Sequence, residues 1–499
     1  MNTPVYDFLC RYREKDPVRL HMPGHKGVPR LGCEPLDLTE IPGADSLFEA
    51  EGILLESEEN ATRLFGAGKT LYSTEGSSLA VRAMVFLAAT RRPAGRRGRI
   101  LAARNVHRSF LCAVALCDLD VSWLTPASTS LCACPLTPAV VENALSAMDE
   151  PPVALYLTSP DYLGNLQPVR EIAVVCHRHG VPLLVDNAHG AYLRFLPRDL
   201  HPLTAGADLC CDSAHKTLPV LTGGAYLHIG QNAPAGFADR AREALSLFAS
   251  SSPSYLILAS LDLCNRTLAE DFRDRLAAAV RAAEHTRQTL RENGWMTVGD
   301  EPMKLTLAAP PGLTGQALSA RLAQSGIVAE HADRDFLVLM PAADTPAADL
   351  QKLCAVLGKN TAPYTPAAPG SAAPAGAPVF APSDCAGAPV SDLSDSAASI
   401  SADPSGTPVS APYTPAGATV ASGGTPFALP APEIVVTVRE ALFAPREVLP
   451  IADAVGRICA DPALSCPPAI PVVLPGERIR AAHLPLLRHY QKTRIAVML

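Results

Sequence analysis

The sequence predicts an α/β protein in which helices cover both faces of a mostly parallel central sheet. From about residue 65 to 263, short apolar segments such as "RILAAR", "PVALYLTSP" and "VPLLVD" alternate with segments of helical periodicity. The apolar segments are continuous, which is typical of strands buried on both faces of a parallel sheet. We therefore expect ligands to bind at the carboxyl ends of these strands.

The predicted elements divide the chain into successive segments. Residues 1–64 precede a large domain, residues 65–265, whose helices include "SSLAVRAMVFLAATRR" and the Gly-terminated "VREIAVVCHRHG". "GADLCCDSAHK" and "GGAYLHIG" supply its later strands. A charged amphipathic helix near residues 268–293 is followed by shorter strand and helix patterns, which predict a small α+β domain over residues 266–360.

The composition changes abruptly after the small domain. Residues 361–430 are rich in Ala, Pro, Ser, Gly and Thr and contain no Lys, Arg or His, and "PYTPA" occurs there twice. Such a segment buries too little apolar surface to offset its ordering entropy, so we expect a disordered linker. Patterned sequence returns over residues 431–499, which predicts a C-terminal module.

Composition also limits the classes of function. The net charge of −7 gives no general reason to bind nucleic acid. The start of the chain is too polar for a signal peptide and no apolar run is long enough to span a membrane, so we expect a cytoplasmic protein without membrane contact. The 14 cysteines lack the paired spacing of zinc sites. We expect reduced, mostly buried thiols and no metal site.

A lysine at the end of a predicted buried strand is the first candidate for chemistry. Lys216 stands in "CDSAHKTLPVLTGG". Such a lysine most often extends its amine to water. Alternatively, partial burial favours the neutral amine, a nucleophile that condenses with a carbonyl group.

Residues around Lys216 favour the second interpretation. Asp186 ends the preceding strand, in "DNAHGAY", and a Lys–Asp pair is the arrangement of a pyridoxal phosphate site, in which the carboxylate pairs with the ring nitrogen. Two further sets are candidates for phosphate and ring contacts, although helix capping also explains the serines. They are Gly76, Ser77 and Ser78 at a helix start, and Ser213, His215 and His107 at the same edge of the sheet.

The ordered motifs of the chain resemble those of the Orn/Lys/Arg decarboxylase family. These motifs are "LHMPGHKG", "DLTEIPGADSLFEAEG", "STEGSS", "RNVHRS", "TSPDYLGN", "DNAHGAY", "SAHKTLPVLTGGA", "SSSPSYLILASLD" and "CPPAIPVVLPGERI". The resemblance implies a pyridoxal phosphate-dependent enzyme of fold type I, the aspartate aminotransferase-like fold. It further implies Lys216 as the cofactor-bearing lysine, Asp186 at the ring nitrogen, His107 stacked on the ring, and His189 and His215 close to the cofactor. Gly76, Ser77, Ser78 and Ser213 would contact the phosphate, and Asp161 and the serines of "SSSPSY" are further candidates.

The resemblance implies decarboxylation of arginine, lysine or ornithine to agmatine, cadaverine or putrescine, a reaction of polyamine biosynthesis. Transamination or lyase chemistry on a sulfur amino acid is the alternative, and a pocket without turnover is another.

The family implies a homodimer or higher homo-oligomer with the site at the subunit interface. Asp45, Glu49 and Glu477, whether of the same or of a neighbouring subunit, are candidates for contact with the distal end of the substrate. Ala469 departs from the family's "PPGIP", where glycine is usual, so its backbone angle is of interest.

Overall fold

The computed structural model describes residues 1–126, 128, 130–360, 429–462 and 468–499. The predicted linker, apart from residues 429 and 430, lies outside these residues. None of the described helices is long and apolar enough to cross a membrane. All twelve cysteines within the described ranges are free thiols, as expected.

The N-terminal segment contains two α-helices joined by a long connection. They are α1 (Pro4–Lys15) and α2 (Ile53–Phe65), and the connection carries the short 3-10 helices Glu34–Leu36 and Leu47–Glu49. α1 begins with a proline at its first position, where the missing N–H has no intrahelical partner to lose.

A seven-stranded sheet forms the centre of the large domain. In chain order its strands are β1 (Lys69–Ser73), β2 (Gly98–Ala103), β3 (Leu119–Leu124), β4 (Leu155–Thr158), β5 (Leu183–Asp186), β6 (Leu209–Asp212) and β7 (Ala225–Ile229). Their spatial order is β1-β7-β6-β5-β4-β2-β3. Only β7 runs antiparallel to its neighbours within this sheet, so the predicted mostly parallel sheet is confirmed.

Helices cover both faces of this sheet. They are α3 (Gly76–Ala89), α4 (Arg108–Leu116), α5 (Pro138–Ser146), α6 (Val169–Arg178), the single turns α7 (Pro202–Ala205) and α8 (Ala214–Thr217), α9 (Phe237–Ser246) and α10 (Tyr255–Ala269); a 3-10 helix spans Ala191–Phe195. α3, α4 and α9 contribute to one apolar cluster, and α5 and α6 to another on the opposite face. This two-sided cover explains why the inner strands β4 and β5 are apolar up to their last residue.

The small domain is an antiparallel sheet covered by helices. Its elements are α11 (Phe272–Glu292), β8 (Thr297–Val298), β9 (Leu305–Ala308), α12 (Gly315–Gln324), β10 (His331–Ala332), β11 (Phe336–Leu339) and α13 (Ala347–Leu357), with strand order β10-β11-β9-β8. The proposed domain boundary between 265 and 266 falls within α10, and only two residues separate the end of α10 from the start of α11.

The C-terminal module is a two-stranded antiparallel sheet with short helices. It contains α14 (Val438–Phe443), β12 (Arg446–Pro450), α15 (His483–His489) and β13 (Arg494–Met498). Thr437 and Glu440 form a reciprocal capping box at the start of α14. The loop before α15 reaches the large domain, because Arg104 donates to the carbonyl oxygens of Pro471 at 2.9 Å and Val472 at 2.7 Å.

Candidate active site

A cavity of about 470 Å³ lies at the carboxyl ends of the parallel strands. Strand register places the ends of β4, β5 and β6 side by side, since Thr158 pairs with Asp186 and Asp186 with Cys211. All nine residues predicted to contact the cofactor line this cavity: Gly76, Ser77, Ser78, His107, Asp186, His189, Ser213, His215 and Lys216. Residues up to 140 positions apart in sequence thus converge on one site.

Lys216 enters the cavity from α8, the single helical turn that follows β6. The turn begins at Ala214, and the backbone N–H of Lys216 donates to the carbonyl oxygen of Ser213 at 3.0 Å. Its Nζ lies 2.9 Å from Nε2 of His189. Lys216 is half-buried, so its amine is accessible from the cavity.

Asp186 is a buried carboxylate at the last position of β5. Its Oδ2 accepts a hydrogen bond from the Tyr156 hydroxyl at 3.0 Å, and its Oδ1 accepts from the backbone N–H of Ala188 at 3.2 Å. Burial raises the pKa of Tyr156 well above its usual value, so that hydroxyl remains a donor. Donors on both oxygens fix the orientation of the Asp186 carboxyl group at the end of β5. A carboxylate at this position suits a protonated ring nitrogen.

The start of α3 lies against the loop after β6. Gly76 is the first residue of this 14-residue helix and has a φ of +70°, which favours glycine. The Gly76 N–H donates to Gly223, and the Ser213 hydroxyl donates to Ser77 Oγ at 2.7 Å. The following helical N–H groups and the helix dipole favour a phosphate at this position.

His107 caps α4 and lies at the cavity wall. Its Nδ1 accepts from the backbone N–H of Ser109 at 3.2 Å, which fixes the orientation of the ring. Burial lowers the pKa of His107 to about 4, although the Asp186 charge opposes this shift. The ring is therefore neutral at physiological pH. A flat, uncharged imidazole suits stacking against an electron-poor pyridine ring.

Polar atoms of the cavity wall fit a pyridoxal phosphate molecule. Asn105 Oδ1 and Thr158 Oγ1 both belong to cavity-lining residues, are buried, and have no hydrogen-bond partner within the described part of the chain. Buried polar atoms without partners favour a polar ligand. An amine for the aldehyde, a carboxylate for the ring nitrogen and a helix start for the phosphate complete the set, so the residues fit this cofactor.

Several other candidates lie outside the cavity of this chain. The Asp45 carboxylate accepts backbone N–H groups of Ser46, Glu51, Gly52 and Leu54, and that of Glu477 contacts His483 and the N–H of Leu474. Glu49 lies in the second 3-10 helix. The serines of "SSSPSY" do not line the cavity either. Neither Asp45 nor Glu477 has a carboxylate free for a substrate.

Asp161 is a structural carboxylate next to the site. It accepts from the backbone N–H groups of Leu163 and Asn165 and from the Asn165 side chain at 2.7–3.0 Å. Burial raises the pKa of Asp161 to about 6. Its carbonyl oxygen accepts a hydrogen bond from Lys304 at 3.2 Å.

Sequence reasoning missed residues at the cavity that come from the small domain and the C-terminal module. Glu330 lines the cavity, and so do Pro468 and Ile470. Lys304 lies behind the cavity wall, with Nζ 2.8 Å from Nδ1 of His189. A lysine directly before the apolar strand "LTLA" was the available signal for Lys304.

The fold and the site define a fold type I pyridoxal phosphate-dependent enzyme. The model of the Orn/Lys/Arg decarboxylase major domain matches residues 3–309, and the model of the family's C-terminal domain matches residues 430–496. The chain therefore belongs to the Orn/Lys/Arg decarboxylase family. It is a pyridoxal phosphate-dependent carboxy-lyase that acts on a basic amino acid, which excludes the transaminase and sulfur-lyase alternatives.

Individual relatives agree with this family. An uncharacterised Bacillus subtilis protein, YaaO, is 31% identical over 68% of this chain and 74% of its own length. An arginine decarboxylase of Halalkalibacterium halodurans is 27% identical over 99% of this chain and 94% of its own. The solved structure of Escherichia coli constitutive lysine decarboxylase superposes with a TM-score of 0.69 and 18% identity, covering 100% of this chain and 82% of that one. This last likeness supports the fold.

Proposed function

We propose that this protein decarboxylates arginine to agmatine and CO₂. Support comes from the 27% identity to an arginine decarboxylase, which extends over nearly the whole of both chains. Within the site, the observation that carries the proposal is the carboxylate of Glu330, which lines the cavity and is exposed to it.

Glu330 is suited to bind the distal cationic group of the substrate. The Tyr162 hydroxyl donates to Glu330 Oε1 at 3.2 Å, and among the described residues no Lys or Arg forms an ion pair with Glu330. A guanidinium group presents two parallel N–H donors that match the two oxygens of a carboxylate. Arginine therefore gains a charge-assisted contact at the end of its side chain while its α-amine faces Lys216.

The other cavity residues receive roles in the same proposal. Lys216 would hold the cofactor through its aldehyde, and Asp186 would pair with the ring nitrogen. His107 would lie against the ring, His189 contacts the Lys216 amine, and the remaining predicted residues would hold the phosphate. The bound cofactor supplies the electron sink for the electrons released with CO₂. In the described residues no arginine lines the cavity, so the leaving carboxylate is not held by a guanidinium clamp.

The test is CO₂ release from arginine, lysine and ornithine, each supplied separately to the cofactor-loaded enzyme. We expect the highest kcat/KM with arginine. Lys216→Ala should lose both the visible absorption of lysine-bound cofactor and the release of CO₂. Higher kcat/KM with lysine or ornithine would overturn the arginine assignment, and absence of CO₂ from all three would overturn the function.

A second variant tests Glu330. Glu330→Gln keeps the size and removes the charge, and loss of a charged hydrogen bond is worth about 1.5–3 kcal/mol. We expect KM for arginine to rise roughly 10- to 100-fold, with the cofactor absorption unchanged. Glu284→Gln, at an exposed position of α11, is the matched control. An unchanged KM in Glu330→Gln would assign the distal contact to another residue.

We also propose the cellular setting that the sequence predicts. The protein would work as a homodimer or higher homo-oligomer in the cytoplasm, with its site at the subunit interface, and agmatine would enter polyamine synthesis. We retain the division into 1–64, 65–265, 266–360, 361–430 and 431–499 as a proposal.

A further inference from the structure

Three nitrogen-containing side chains form a continuous hydrogen-bonded series at the back of the cavity. Nζ of Lys216 lies 2.9 Å from Nε2 of His189, and Nδ1 of the same ring lies 2.8 Å from Nζ of Lys304. His189 and Lys304 are buried, and only 3% of Lys304 is exposed. A second lysine therefore contacts the first through a single imidazole.

The number of hydrogens in the two contacts limits how many of these three side chains can carry a positive charge. Each contact needs one hydrogen between its two nitrogens, and a neutral imidazole has one N–H group and one acceptor nitrogen. The N–H group must face an amine with a free electron pair, which is an uncharged lysine. A protonated imidazole would need two uncharged lysines. At least one of Lys216 and Lys304 is therefore a neutral amine.

The surroundings place the remaining positive charge on Lys304. Its Nζ donates to the carbonyl oxygen of Asp161 at 3.2 Å and lies 5.9 Å from the centre of the Tyr162 ring, within the range of a cation–π contact. Burial lowers the pKa of Lys304, and the charges of Glu301 and Asp161 oppose this shift, so the carbonyl and ring contacts are what stabilise the ammonium form.

The remaining ionisable neighbours do not alter this assignment. His189 itself stays neutral, because burial lowers its pKa well below the usual value and the Lys304 charge acts in the same direction. His107 and His215 face it from the cavity side, and burial lowers the pKa of both. Glu330 is the remaining carboxylate that favours a charge on Lys304.

We infer that Lys304 is a positioning residue that, through His189, keeps Lys216 in its uncharged, nucleophilic form. Lys304 donates to Nδ1, and the Nε2–H of His189 donates to the electron pair of Lys216. The series also allows a balanced proton transfer: Lys304 gives a proton to Nδ1 while Nε2–H passes its proton to Lys216. Lys216 then becomes the ammonium and Lys304 the amine. This inference rests on the proposed role of Lys216.

The test measures the charge of Lys216 without using turnover. Cofactor-free protein is labelled with acetic anhydride between about pH 6 and pH 10, and mass spectrometry quantifies the Lys216 peptide. The exposed Lys352 on α13 is the internal reference. In the wild type, Lys216 should titrate at lower pH than Lys352. Coincident titration would overturn the inference without any variant.

Substitution of Lys304 gives the second measurement. Lys304→Met keeps the length of the side chain and removes its charge and donor, so Lys216 should become an ammonium that donates to His189. We expect Lys216 labelling near neutral pH to fall about tenfold relative to Lys352, because loss of the hydrogen bond that Lys216 accepts from His189 favours its ammonium form, and a shift of one pKa unit is a tenfold change. An unchanged rate would overturn the inference.

A double variant separates transmission through His189 from long-range repulsion between the lysines. In a His189→Phe background the imidazole is absent, so Lys304→Met should change Lys216 labelling less than about twofold. A tenfold change in that background would overturn the role of His189. CO₂ release by the wild type tests the proposed function independently, so each idea can fail without the other.

Discussion

Ala469 has a φ of +56°, in the left-handed region where a β-carbon is unfavourable. The residue is fully buried, and its carbonyl oxygen accepts from the N–H of Arg108 at 2.9 Å, so the loop cannot relax freely. Ala469→Gly should raise the free energy of unfolding by about 0.5–1 kcal/mol. This gain is the cost of a β-carbon in the left-handed region, reduced by the larger backbone entropy that glycine loses on folding. Urea denaturation of the two proteins measures this difference.

A control substitution should change the free energy of unfolding in the opposite direction. Ala348 is exposed in α13, so Ala348→Gly should lower the free energy of unfolding by about 0.5–1 kcal/mol. If Ala469→Gly destabilised the protein in the same way, the strain assigned to Ala469 would be wrong. The sequence had marked this position through its departure from the family motif, and the backbone angle gives the physical reason.

A buried cluster below the site has the residue types of a metal centre. His201 and Asp212 lie close to Cys210, and His228 also contacts the Asp212 carboxylate. Nδ1 of His201 accepts the N–H of Leu203, so its Nε2 carries the proton and donates to Asp212 at 2.9 Å. These hydrogen bonds account for the close approach of the side chains in this cluster.

At the scale of elements, one buried carboxylate attaches the N-terminal helix to the large domain. Oδ2 of Asp262, in α10, accepts the backbone N–H groups of Val5 at 2.9 Å and Tyr6 at 3.0 Å, two donors that have no partner within α1. Ser57 of α2 donates to its other oxygen. Burial raises the pKa of Asp262 to about 6.

This raised pKa makes the attachment of α1 depend on pH. A group whose pKa is higher in the folded state stabilises the fold fully below its unfolded value, and this stabilisation is lost as pH rises through about 6. The shift of about two units corresponds to about 3 kcal/mol. Asp262→Asn should remove that part of the pH dependence between about pH 4 and pH 6.5, as measured by urea denaturation.

The matched control is Asp274→Asn, at an exposed position of α11. Other groups contribute equally to the pH dependence of both proteins. The difference between wild type and variant therefore gives the contribution of Asp262 alone. An identical pH dependence in wild type and Asp262→Asn would contradict the assignment.

Local sequence predicted the elements better than it predicted the contacts between them. The apolar segment "VPLLVD" became β5 and placed Asp186 at its last position, because one strand and its end are local features. Lys304 and Glu330 could not be assigned in this way. Each reaches the site through the packing of the small domain against the large one, and His189 and Lys304 are 115 positions apart in sequence. The pattern near residue 268 predicted one helix, where the structure has the end of α10 and then α11.

At the scale of the whole molecule, the site is assembled from three parts of the chain. The large domain supplies the predicted cofactor contacts, the small domain supplies Glu330, and the C-terminal module supplies Pro468 and Ile470. Arg104 is buried and donates to two carbonyl oxygens of the module. Because a buried guanidinium must satisfy its donors, these bonds hold the C-terminal loop against the site.

The exposed apolar side chains of the N-terminal segment bear on the proposed homodimer. Leu20 and Leu31 flank the "HMPGHK" motif and are 91% and 89% exposed, and Val18, Met22 and Val28 are exposed beside them. Several exposed apolar side chains in one segment are typical of an interaction surface. We expect the wild type to have the mass of a dimer in light scattering. The double variant Leu20→Asp, Leu31→Asp should shift the mass towards the monomer, since charges in an apolar interface are costly.

Val174→Asp, at a 57% exposed position of α6, is the control and should stay dimeric. A monomeric wild type would contradict the dimer, and a dimeric double variant would place its interface elsewhere.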